Sequence, residues 1–271
     1  MYETFFKMQC TPFTRSIPTS SQYEPTRIAD ILGRLSYVAD RQLFAVLTAD
    51  AGCGKSTIIR KFKESLSHDD YVFLYLSDSK LTPRWFYKGL LDQLGIESKF
   101  YRGDAKRQLH QAVEVLRGVQ NKKVVCVLDE AHLIERETLE EFRFLLNFKY
   151  DSMSPMALIL VGQSELWDKL KLQSYAAIRQ RIDLTCLLPR LDLSQTIEYI
   201  RCHIQYAGAQ QELFTDKAYE EIYKASNGTM RIINRICEKS LMYAFQQQKQ
   251  LIDDHSIRYV VEHELIAGAK S

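Results

Sequence analysis

Ala49-Asp50-Ala51-Gly52-Cys53-Gly54-Lys55-Ser56-Thr57 directly follows the apolar run Leu43-Phe44-Ala45-Val46-Leu47, and further along a second apolar run, Val124 to Leu128, ends in Asp129-Glu130. A glycine-rich turn between a buried strand and a helix is a phosphate cradle. Gly52 and Gly54 let the backbone curl so that successive N–H groups aim at phosphate oxygens, and the helix starting near Lys55 adds its positive end. Lys55 supplies a point charge for the β- and γ-phosphates. Ser56 offers its hydroxyl to Mg²⁺, and Asp129, at the end of a buried strand, holds the same ion directly or through water. Glu130 is placed to polarise the attacking water. The expectation is a site that hydrolyses a nucleoside triphosphate with Mg²⁺: Ala49 to Thr57 bind the nucleotide, Ser56 and Asp129 the metal, and Glu130 and Lys55 act in the chemistry. The loop departs from G-x-x-x-x-G-K-[ST] at its first position, Ala49. If φ were positive there, alanine would cost roughly 1–2 kcal/mol, tolerable in a loop fixed by phosphate contacts.

The 271 residues, 46% hydrophobic and 26% charged, are ordinary for one large or two modest folded domains. A net charge of +2 is too mild to argue for nucleic acid, because a binding face needs clustering more than total charge. Cys10, Cys53, Cys126, Cys186, Cys202 and Cys237 form no C-x-x-C pair and no zinc spacing, so they read as small buried hydrophobes of a reducing compartment. Cys53 alone, beside Lys55 at a helix start, has the setting of an oxidisable thiolate, with an incidental loop residue as the simpler reading. The N-terminus lacks the design of a signal peptide, and no apolar run approaches the roughly 18 residues of a membrane span. A cytoplasmic protein without a membrane segment is expected.

Strand and helix patterns alternate around the loop. Pro25 to Asp40 has helical periodicity with Thr26 as cap. Lys55 to Leu66 reads as helix, Tyr71 to Leu76 as strand, and Thr82-Pro83 opens a helix that Gly95 stops. Asp104 opens another helix, through Val119, before the Asp129 strand. A helix from Arg136 to Phe148, the strand Met156 to Val161, a short helix after Ser164 and the strand Ile182 to Leu187 follow. The alternation predicts a mainly parallel sheet with ligands at its carboxyl edge, where Ala49, Asp129 and Gln163 all lie. Past Leu188-Pro189 four helical patterns succeed one another, Leu193 to Ala207, Thr215 to Ala225, Arg231 to Gln246 and Asp253 to Ala267. Asp192, Thr215 and Asp253 or Asp254 are the cap candidates.

Several further runs match one family in order: Met1-Tyr2-Glu3-Thr4-Phe5-Phe6 with Pro12-Phe13, the phosphate loop, Asp129-Glu130-Ala131-His132, Leu160-Val161-Gly162-Gln163 before Glu165-Leu166, Arg179-Gln180-Arg181-Ile182, and Asn227-Gly228-Thr229-Met230-Arg231-Ile232-Ile233-Asn234. With these the chain resembles the AAA+ ATPases, specifically the ATPase domain of the ExeA family, over essentially its whole length. The resemblance implies an α/β P-loop NTPase with a parallel sheet flanked by helices over residues 1–190, including an N-terminal helical segment, and a small all-α lid over residues 191–271. It implies sensor 1 at Gln163, although AAA+ proteins more often use Asn or Thr there, and sensor 2 at Arg231. It puts the arginine finger that enters a neighbour's site at Arg181 or Arg179. His132 invites a DEAH-helicase reading, but such helicases need two tandem ATPase domains and the chain has room for one.

The resemblance further implies a homo-oligomer, ring or filament. Three roles stay open: a DNA-associated assembly helper with a transposase client, an ATPase assisting assembly of a secretion complex, and a slow-hydrolysing adaptor switched by ATP. Basic residues beside aromatics at Lys80 to Lys88 and at Lys99, Phe100, Tyr101, Arg102, Lys106 and Arg107 offer a surface for double-stranded DNA.

Overall fold

The computed structural model describes residues 1–14, 16–78, 81–146 and 154–265, with backbone alone for 143–146. The expected helix ends at Phe148 and Ala267, and Lys80 of the basic stretch, lie outside them. In chain order the elements are α1 (Tyr2–Phe5), α2 (Thr26–Arg41), β1 (Phe44–Thr48), α3 (Lys55–Ser65), β2 (Tyr71–Leu76), α4 (Pro83–Gln93), α5 (Arg102–Gly118) and β3 (Lys123–Leu128). There follow α6 (Arg136–Leu146), β4 (Ala157–Gly162), α7 (Ser164–Lys171), α8 (Ala176–Arg179), β5 (Leu184–Leu187), α9 (Leu193–Tyr206), α10 (Asp216–Ser226), α11 (Met230–Gln246) and α12 (Asp254–His263).

These elements form two compact units, one of Arg27–Asp50 and Lys55–Leu188, the other of Met1–Thr26, Ala51–Gly54 and Pro189–Ser271. The first contains a five-stranded sheet of order β2-β3-β4-β1-β5, parallel at every pairing. Every residue of β1 and β4 is buried, which is why their sequences are unbroken apolar runs, as the interior of a parallel sheet requires. Thr48 is level with Gly162 and Leu128 with Leu160. The segments leaving β1, β3 and β4 therefore emerge side by side from one edge. Beneath them Phe86 packs edge-to-face on Phe142 with ring centroids 5.1 Å apart, in a core that includes Leu74, Leu90 and Val124.

Local chemistry sets the helix ends. The hydroxyl of Thr82 accepts from Trp85 N–H, Pro83 occupies the first turn, and Gly95 follows the end of α4 at φ +72°. Helix α5 begins at Arg102, ahead of the expected Asp104, whose carboxylate instead lies in the first turn and favours the positive helix end. Strand β5 starts at Leu184 rather than Ile182. The amides of Arg181 and Ile182 close a turn on Ile178 and Arg179, and the Asp183 carboxylate accepts from Phe44 N–H at 2.8 Å.

In the other unit α9 opens with a reciprocal cap between Asp192 and Gln195, and Thr215 and Asp253 cap α10 and α12. Residues Met1–Thr26 group with these helices, because Tyr2, Phe6, Met8 and Phe13 share a core with Tyr199, Ile200, Phe214 and Ile233. Phe13 stacks on His203 at 5.1 Å, and Gln9 N–H donates to the Ala207 carbonyl at 2.7 Å. Among the described residues no helix is long and apolar enough to cross a membrane.

Candidate functional site

The loop after β1 is tied to its neighbours at its first limb. Ala49 N–H donates to the Gly162 carbonyl at 3.2 Å, and Ser164 Oγ donates to Asp50 Oδ1 at 2.7 Å. Ala49 is not among the residues with positive φ, so it carries none of the strain that its departure from glycine would bring there. Gly52 and Gly54 lie at φ +82° and +90°, the conformations that glycine is needed for. Helix α3 starts at Lys55, so the amides of its first turn have no acceptor within the helix and point out of its positive end. Lys55 is 8% exposed, and its ammonium donates to the carbonyls of Ala49 at 2.9 Å and Asp50 at 3.2 Å. Ser56 and Thr57 are exposed beside it. Cys53 is 1% exposed, at odds with the access an oxidisable thiolate needs.

Asp129, at the end of β3, is 4% exposed. Both of its oxygens are engaged. Oδ2 accepts from the Tyr75 hydroxyl at 2.7 Å, and Oδ1 accepts from Glu130 N–H at 2.8 Å. Burial, and then the bond to Asp129, push the Tyr75 phenol well above its usual pKa, so it stays a donor. Tyr75 is absent from the residues that sequence singles out. Its only signal is a polar group in the last turnings of β2, level with Val127 on the neighbouring strand. Glu130 takes a left-handed conformation, φ +53°, which ends the strand line immediately after Asp129 and leaves its side chain 41% exposed. For a residue with a Cβ that conformation costs roughly 1–2 kcal/mol, a strain typical of functional turns.

Gln163 leaves β4 as the residue that precedes α7. Its backbone N–H donates to His132 Nδ1 at 3.4 Å, and its carboxamide meets His132 Nε2 at 3.1 Å. His132 Nε2 is also 3.6 Å from Glu130 Oε2. Glu130 and Gln163, from adjacent strands, are thus joined through a histidine that sequence reading assigned to neither. Lys169 on α7 donates to the carbonyls of His132 and Ile134, and burial lowers its pKa. Arg179 donates to the carbonyls of Leu170 at 2.9 Å and Lys171 at 2.6 Å, closing the negative end of α7 with a cation. Arg181 stands in the turn before β5.

Arg231 is the second residue of α11. Its N–H donates to the Gly52 carbonyl at 3.1 Å, a contact within the unit that holds both residues. A Cβ on Gly52 would stand 2.9 Å from Arg231 Cβ and 3.1 Å from Thr229 Cγ2. Glycine at 52 therefore serves both the turn and the close approach of α11.

A model of the AAA domain matches residues 38–170. The chain is 30% identical over 253 residues to the General secretion pathway protein A of Aeromonas hydrophila, an alignment that covers 90% of this chain and 45% of that protein. The chain therefore spans less than half the length of this relative. Among solved structures, Cdc6p from Pyrobaculum aerophilum matches with a TM-score of 0.69 at 18% identity, over 94% of this chain and 71% of its own. Drosophila ORC bound to DNA matches with a TM-score of 0.66 at 16% identity, over 99% of this chain and 66% of its own. At such identities these two likenesses speak to the fold alone, a P-loop sheet with a helical C-terminal region.

Proposed function

From the premise that this chain belongs to the ExeA-like AAA+ ATPases, we propose that it hydrolyses ATP between its own copies and so drives assembly of a complex on DNA. The observation that carries the reading is the shared edge of β1, β3 and β4, which brings out Ala49-Asp50 at the start of the glycine loop, the Asp129-Glu130 pair and Gln163 next to one another. The residues fit a triphosphate and its metal. Two left-handed glycines shape a concave loop, an unfilled helix start faces out of it, and one buried carboxylate with one exposed hydroxyl leaves the remaining Mg²⁺ positions to water and phosphate.

In this reading residues 49–57 cradle the phosphates and Lys55 leaves the carbonyls of Ala49 and Asp50 for the β- and γ-phosphates. Ser56 and Asp129 hold Mg²⁺. The metal, when bound, neutralises charge on the departing phosphoryl group. Glu130 takes the proton of the attacking water, Gln163 contacts the γ-phosphate or that water, and Arg231 senses the nucleotide from the helical unit. The finger that completes a neighbour's site is Arg181 or Arg179, and we favour Arg181, which stands in the turn before β5.

The DNA role rests on a surface of α4 and α5. Trp85, Phe100 and Tyr101 are 54%, 68% and 71% exposed, with Arg84 4.2 Å above the Phe100 ring and Lys88 4.7 Å above Trp85. Aromatic faces and cations together suit a nucleic-acid backbone. Part of the expected basic stretch is engaged at home: Arg102 pairs with Glu137 and Glu141, Lys106 with Glu141 and Arg107 with Asp104. A second reading, an assembly ATPase of a secretion complex, is favoured by the 30% identity to General secretion pathway protein A.

One set of measurements tests both levels. Glu130→Gln should keep ATP bound and lose turnover by about 10²–10⁴-fold, the usual worth of a general base; hydrolysis at the wild-type rate removes Glu130 from that role. ATP-dependent retention on duplex DNA that weakens steeply with salt is the signature of phosphate contacts. No retention at low salt with ATP turns the assignment to the secretion reading, and negligible turnover at high protein concentration turns it to a switched adaptor.

A further inference from the structure

The contacts of His132 are incompatible with one another unless its protons are placed in a single way. The fixed backbone N–H of Gln163 donates to Nδ1 at 3.4 Å, so Nδ1 is an acceptor and the ring proton is on Nε2. That N–H faces the Gln163 carboxamide at 3.1 Å and Glu130 Oε2 at 3.6 Å. A donor needs an acceptor, so the carboxamide must turn its oxygen to His132, which a half-turn of the amide achieves. Its NH₂ group is then directed away from the ring.

We infer that His132 is a positioning residue: its Nε2–H holds the Gln163 oxygen and faces the Glu130 carboxylate at 3.6 Å, leaving Gln163 to present N–H groups to the nucleotide. The ring is well placed for this. The His132 side chain is 11% exposed. Its backbone is held by Lys169 donating to the His132 carbonyl and runs close to Gly162, where an added Cβ would lie 3.2 Å from His132 N. The sensor and the base therefore flank one ring nitrogen, so a turn of the ring moves the hydrogen-bonded sensor and the field at the base together. The inference rests on Glu130 and Gln163 having the roles proposed above, and adds a third residue that acts through those two.

Two conservative substitutions separate the functions of the ring nitrogens. His132→Asn places an oxygen near Nδ1 and deletes the Nε2 donor; His132→Gln places an NH₂ group near Nε2 and deletes the Nδ1 acceptor. In the full chain with Mg²⁺, ATP turnover and the affinity for a fluorescent ATP analogue are measured for both. Loss of alignment by about 1 Å is worth about 100-fold, so His132→Asn is expected to lower kcat by about 10–100-fold with analogue affinity unchanged, while His132→Gln retains most of the wild-type kcat. Equal losses in the two variants, or weakened analogue binding by His132→Asn, would overturn the inference. Wild-type turnover by His132→Asn beside a stalled Glu130→Gln would overturn it too, and leave the hydrolytic reading standing. Wild-type turnover by Glu130→Gln instead refutes that reading itself.

Discussion

Three glycines differ in backbone conformation and in what a methyl group would meet, and together they separate strain from clash at the entry to α11. Gly228 lies at φ +70°, and a Cβ there would sit 1.9 Å from the Leu191 carbonyl oxygen and 2.9 Å from both Leu191 C and N. Gly95 has a similar φ, +72°, with nothing within 4 Å, and Gly33, in α2, also has nothing within 4 Å. In Gly33→Ala the methyl fills open space on an exposed helix, so stability should rise by about 0.5–1 kcal/mol. In Gly95→Ala left-handed strain of roughly 1–2 kcal/mol is partly offset by about 0.4–1 kcal/mol of lost unfolded-state freedom. A net loss near 1 kcal/mol is expected. Gly228→Ala adds to that strain a backbone clash that must displace Leu191, and with it the 3.0 Å bond from Leu191 N–H to the Gly228 carbonyl. Overpacking of about 1–3 kcal/mol and a hydrogen bond of about 0.5–1.5 kcal/mol bring the total to roughly 4 kcal/mol. Urea unfolding read by circular dichroism is the assay, and with a slope of about 3 kcal/mol/M the midpoint of the transition that carries α9 to α12 should fall by about 1 M. A Gly228→Ala protein no less stable than Gly95→Ala would refute the reasoning, because strain alone would then account for both.

Acid should weaken the helical unit through His203. Burial against Phe13 and Tyr199 lowers its pKa from 6.5 to about 4, so its stabilising contribution is complete above 6.5 and is lost as pH falls from 6.5 toward 4, by up to about 3 kcal/mol. His203→Phe should flatten that part of the pH–stability curve; a wild-type slope in the variant would place the sensitivity elsewhere. If Arg181 is supplied to a neighbour, specific ATPase activity should rise with protein concentration, and Arg181→Ala should lower it by about 10³–10⁵-fold while leaving nucleotide affinity intact. Activity proportional to concentration throughout, or an Arg181→Ala protein as active as wild type, counts against a finger in trans.

The glycine loop after β1 and the placing of Asp129-Glu130 at the end of β3 were legible because β1 and β3 are apolar runs of the kind only a covered parallel sheet can bury, and because a tight turn calls for glycine at short spacing. The caps at Thr82, Asp192, Thr215 and Asp253 were legible for the same local reason: a side-chain oxygen and an orphan amide a few residues away. What stayed hidden depends on strand order. Tyr75 meets Asp129 only because β2 pairs with β3, and His132 meets Gln163 only because β3 pairs with β4. Nothing within either segment records its neighbour. The same holds for Phe13 on His203, which joins the N-terminal segment to the helices across most of the chain. The start of β5 was misjudged because Asp183, though inside an alternating pattern, spends its side chain on Phe44 N–H.

Titration of the protein with a fluorescent ATP analogue and Mg²⁺ tests the central claim most directly, with wild type, Lys55→Ala and Glu130→Gln compared under identical conditions. Saturable binding is expected for wild type and Glu130→Gln, and its loss for Lys55→Ala. Binding by Lys55→Ala at the wild-type affinity would mean that the glycine loop after β1 is not where the phosphates are held.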